Sequence, residues 1–167
     1  MAVWTPTSNV FDLTLVVDNL LSYIAANNGA ALRWANGGVA LPEFVYLYPN
    51  APGRLISKFP ALIVIDQAYQ TSLDSDILIA ALQLKFEGCV SGPNLDELVL
   101  KTKKYAMALE SMLANVPSAT ITGSATKHGA LHEIGSNFDL TGQLKHANSY
   151  LAIFQTKCLY KLEMVAY

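Results

Sequence analysis

Apolar residues recur at helical spacing in two stretches and alternate with polar ones in others, and these two periods lay out the chain. Val10, Leu13, Val17, Leu20, Leu21 and Ile24 mark one face of a helix predicted over residues 9–27. Ser8 or Asn9 caps it, Asp12 sits in its first turn where the helix dipole favours an acid, and Asn27-Asn28-Gly29 is a stop signal. Residues 30–41 carry no clear period, with Gly37-Gly38 marking a turn. The second helix, predicted over 94–115, is the stronger of the two. Asn94 caps it with Glu97 three residues on, and Leu95, Leu98, Val99, Thr102, Tyr105, Ala106, Leu109, Met112 and Leu113 form a continuous stripe that reads as core. Asn115-Val116-Pro117 ends it.

The alternating stretches predict strands over 43–48, 59–70, 77–90, 118–122 and 150–164. In the third of these, Leu82, Leu84 and Phe86 fall on one face and Gln83, Lys85 and Glu87 on the other, the mark of a sheet with one face buried and one wet. The last strand repeats the pattern. Tyr150, Ala152, Phe154, Cys158, Tyr160, Leu162 and Met164 share one parity, and Gln155, Lys157, Lys161 and Glu163 take the other. The polar segment Thr71–Asp76 between the second and third strands predicts an antiparallel hairpin with a long loop. Residues 123–148, rich in Gly, Ser, Thr, His and Asn, are expected to be partly irregular. With no internal repeat and no linker, residues 1–167 read as a single domain. The fold class expected is α+β, a two-layer sandwich of a mainly antiparallel sheet with two helices packed on one face.

Composition adds one anomaly. The chain has 11 Lys and Arg and 13 Asp and Glu among 167 residues, 14% charged against 52% apolar. An ordinary soluble domain of this length carries roughly 42 charges. So thin a covering of charge predicts that part of the surface is buried against other chains. The apolar runs are of strand length and too short for a membrane span, and no basic region precedes an apolar N-terminal segment as in a secretory signal. A net charge of −2 without a basic run argues against binding nucleic acid through its phosphates. Lys101, Lys103 and Lys104 read as a solvated helix face, since Asp96, Glu97 and Glu110 share that helix.

Signals for chemistry are sparse. His128, His132 and Glu133 are the nearest to a metal cluster, but the surrounding glycines disfavour a helix, and on a strand the two histidines stand about 13 Å apart. Cys89 and Cys158 fall in strand patterns and read as buried free thiols, with a disulfide or a Cys–His nucleophile as weaker alternatives. Asp74-Ser75-Asp76 lacks the further ligands of a calcium loop and reads as a hairpin tip. No phosphate loop, dinucleotide fingerprint or nucleophile elbow occurs. The expectation is a protein without a cofactor that is not an enzyme.

Five features resemble the lambda-type tail terminator proteins of long-tailed bacteriophages. They are Phe59-Pro60-Ala61 opening a strand, the acidic loop Leu73-Asp74-Ser75-Asp76, the strand Ala81–Phe86, the helix start Leu95-Asp96-Glu97-Leu98, and a short strand after Pro117. The likeness covers residues 59–165, and the N-terminal helix also fits. Residues 30–57 and 123–148 depart from the family pattern by their length.

The resemblance implies a structural virion protein with no covalent chemistry. It implies a homo-oligomer, a hexameric ring at the neck, on the head-proximal end of the tail tube, assembled in the host cytoplasm. Such a ring stops tube polymerisation and presents the surface for head–tail joining. The partners implied are the tail tube protein, a head-side connector or stopper protein and, in a contractile tail, the sheath. It also implies a contact loop at about 70–76, with Tyr69, Leu73, Asp74 and Asp76 as contact residues. A ring subunit buries two different patches, which nominates the aromatics Trp4, Trp34 and Phe138 as interface residues, along with Tyr46 and Tyr48 where these do not face the helices. Two other readings stand beside it: another neck component, such as a head-closure protein, and, from a different class, a small α+β enzyme or ligand-binding domain using the His128–Glu133 region.

Overall fold

The computed structural model describes residues 11–48, 58–146 and 148–165. Their order is α1 (Leu13–Ala35), β1 (Tyr46–Tyr48), β2 (Ala61–Asp74), β3 (Ile77–Gly92), α2 (Leu95–Asn115), α3 (Ser118–Thr122), β4 (His128–His146) and β5 (Ser149–Val165). The strands form one sheet in the order β1-β2-β3-β5-β4. β1 runs parallel to β2, and every other neighbouring pair is antiparallel. This is the mainly antiparallel α+β sandwich that the two periods predict.

The alternation of β3 and β5 sets the two faces. Leu82, Leu84 and Phe86 are buried, as are Ala152, Phe154, Cys158, Tyr160, Leu162 and Met164. They meet the stripe of α2, where Leu98, Thr102, Tyr105, Ala106, Leu109, Met112 and Leu113 are buried. Leu95, expected in that stripe, is instead exposed at the first turn. Polar groups inside this layer are satisfied. The Tyr160 hydroxyl donates to the Leu113 carbonyl at 2.8 Å, and Ser136 Oγ lies 2.5 Å from Glu110 Oε1 and 2.8 Å from the buried Thr156 hydroxyl. α1 lies antiparallel beside α2. Tyr23 Oη donates to the Asn115 carbonyl at one end of the pair, and Lys104 Nζ to Asn36 Oδ1 at the other.

Four local expectations are corrected. α1 does not stop at Asn27-Asn28-Gly29 but continues to Ala35. Asn28 is buried, with Nδ2 donating to the Ala25 carbonyl at 3.0 Å and Oδ1 accepting the Phe44 amide at 3.2 Å. Gly29 lies inside the helix, beside the exposed end of the Glu43 side chain. The extra turns bury Leu32 and Ala35, and that burial outweighs the weak helix preference of two Asn and a Gly. The stop falls at Gly37 and Gly38, at φ 65° and 94°. There Gly38 N–H bonds the Arg33 carbonyl and Gly37 N–H the Trp34 carbonyl, a Schellman motif. At the other end the cap is Asp12, whose carboxylate accepts the Leu15 amide at 3.0 Å; Ser8 and Asn9 lie outside the described residues.

Residues 118–122 form the one-and-a-half-turn helix α3 rather than a strand. Pro117 presets the first turn, its carbonyl accepting from Thr120 N and Ile121 N, and Gly123 at φ 64° ends it. Burial of Ile121 outweighs the β preference of Thr120, Ile121 and Thr122. Residues 128–146 are a long edge strand, β4, not an irregular segment. Leu131 and Ile134 both pack toward the core, three residues apart, because the register shifts at His132. That bulge hides the period of two. Finally, the β2–β3 ladder runs to its tip. Asp74 pairs with Ile77 and the loop is only Ser75-Asp76, with Ser75 at φ 55°.

Candidate functional site

At one end of the sheet the β2–β3 ribbon turns, flanked by β5 as far as the Ile77–Val165 pair. Every side chain from Thr71 to Ile77 is exposed, and Leu73 shows 65% of its surface. The ribbon holds its shape through backbone pairing. Thr71, Ser72, Leu73 and Asp74 stand opposite Ala80, Ile79, Leu78 and Ile77. The tip therefore presents two apolar side chains, Leu73 and Ile77, beside two carboxylates, Asp74 and Asp76. Tyr69, opposite Leu82, is exposed lower on the same ribbon. Tyr69, Leu73, Asp74 and Asp76, the predicted contact residues, thus all lie exposed on the β2–β3 hairpin.

The predicted aromatics lie elsewhere. Trp34 is 59% exposed at the C-terminal end of α1. Phe138 is exposed on the edge strand β4, opposite Phe154. Both sit toward the base of the sheet, far from the tip. Trp4 lies outside the described residues, as do the side chains of Tyr46 and Tyr48. Trp34 has company on the helix layer, where Leu100 and Met107, one α2 stripe around Lys104, are also exposed.

The face of the sheet turned away from the helices was legible only as a wet surface. It holds an open trough of about 580 Å³ across β2, β3, β5 and β4, lined by Ala68, Gln83, Lys85, Gly135, Lys157 and Leu159. Its floor is shallow in side chains, since a Cβ at Gly135 would meet nothing within 4 Å. Lys85 and Lys157 are direct cross-strand partners, and Gly135 is the partner of Lys157 on its other side. Like charges directly opposite destabilise a sheet. Glu133 lines the β4 side of the trough, and Glu87 is engaged by the Gln155 amide at 2.9 Å.

The residues considered for chemistry are not assembled into a site. His128 and Glu133 stand in register with Glu163 and Leu159, while His132 occupies the bulge between them. His128 Nδ1 lies 3.4 Å from Ser118 Oγ. Among the described residues no group of three or more His, Cys, Asp and Glu gathers to hold a metal ion. Both cysteines are free and project from opposite faces, Cys158 among the buried positions of β5 and Cys89 at an alternate position of β3. A disulfide between them is therefore ruled out by geometry. Burial and the Glu87 carboxylate push the Cys89 thiol up to about 11; burial pushes Cys158 up to about 12 against a backbone hydrogen bond from Leu84. Neither is a thiolate near neutrality, which a Cys–His nucleophile requires. Among the described residues no helix is long and apolar enough to cross a membrane.

The sequence matches no protein-family model, and no curated protein matches it.

Proposed function

We propose that this chain is a structural subunit of a homo-oligomeric ring at the head-proximal end of a bacteriophage tail tube, where it stops tube growth and offers a joining surface to the head. One observation carries this reading: the tip of the β2–β3 hairpin leaves Leu73 and Ile77 exposed, at 65% and 42% of their surface. Exposed apolar groups on a well-paired ribbon, in a chain with only 14% charged residues, suit a contact element better than a solvated loop. The ribbon also coincides with the loop to which the terminator resemblance assigns contact. The copy number of six comes from that resemblance, as do the tube protein, the head-side connector and the sheath as partners.

The test is assembly followed by tube binding. Sedimentation velocity over a concentration series is expected to show a discrete oligomer, and electron microscopy a ring with a central hole. A chain that stays monomeric throughout the series and fails to bind purified tail tubes would end the proposal.

A further inference from the structure

We draw no further inference here: the strongest candidate, the outer edge of β2 from Ala68 to Asp74, is exposed on both faces and takes no strand partner other than β3 among the described residues, but nothing in the structure shows what covers it.

Discussion

The side chain of Asn28 reaches out of α1 to hold the backbone of Phe44, its Oδ1 accepting the Phe44 amide at 3.2 Å in a buried setting. Phe44 in turn stands edge-on to Tyr105 of α2, ring centroids 5.4 Å apart, and the Tyr105 hydroxyl donates to the Pro42 carbonyl. One asparagine thus ties the first helix, the loop that leads to the sheet and the second helix into one unit. Replacing Asn28 with Ala leaves a buried N–H without a partner, at a cost of about 1–3 kcal/mol. Urea unfolding should show a lower midpoint with an unchanged slope. An unaltered midpoint would mean that water or another group takes over the bond.

Gly88 and Phe154 make a second such pair. They are register partners on β3 and β5, and a Cβ on Gly88 would fall 2.1 Å from the Phe154 ring. Gly88→Ala should therefore destabilise by about 1–3 kcal/mol through overpacking. The two positions touch, so the cost should shrink when Phe154 is also shortened to Leu. A double-mutant cycle measures that coupling, and strict additivity would show that the ring moves aside freely.

How far this was readable from sequence depends on whether the signal was local. The buried parity of β3 and β5, the stripe of α2 and its Asn94 cap are properties of neighbouring residues, and all are seen in the structure. The end of α1 was not local. Asn27-Asn28-Gly29 carries a stop signal, and only the distant Phe44 amide and the burial of Leu32 and Ala35 show why the helix passes through it. β4 was hidden for a different reason, because the bulge at His132 shifts Leu131 and Ile134 out of a period of two. The hairpin tip was legible in part, as a polar acidic segment between two strands. The trough was not, since its lining comes from four strands and only the register of β3 with β5 puts Lys85 beside Lys157.

Alkaline pH should weaken the fold. The thiols of Cys89 and Cys158 are raised from 9.0 to about 11 and about 12, and burial also raises the Tyr105 and Tyr160 hydroxyls. Each of these groups holds its proton more tightly when folded. Above pH 9 the unfolded chain therefore binds fewer protons, and stability falls as pH rises. Burial lowers Lys101, which acts in the opposite sense just below its ordinary value. The four raised groups outnumber it, so the urea midpoint should drop between pH 8 and pH 11. At pH 8 iodoacetamide should modify neither cysteine until the chain is unfolded. A midpoint that rises over that range would contradict the assignment.

The hairpin tip should separate stability from assembly. Leu73 is 65% exposed, and surface substitutions away from buried features usually shift stability by less than about 0.5 kcal/mol. Leu73→Ser is therefore expected to melt like wild type, while sedimentation velocity shows its assembly weakened tenfold or more. Equal loss of both would make Leu73 a structural residue instead.

The most direct test of the assembly account is electron microscopy of the purified chain incubated with purified tail tubes of long-tailed phages. The account predicts a ring of several copies, with a central hole, seated on one end of each tube and absent from the other. Bare tubes surrounded by single-copy particles would contradict it.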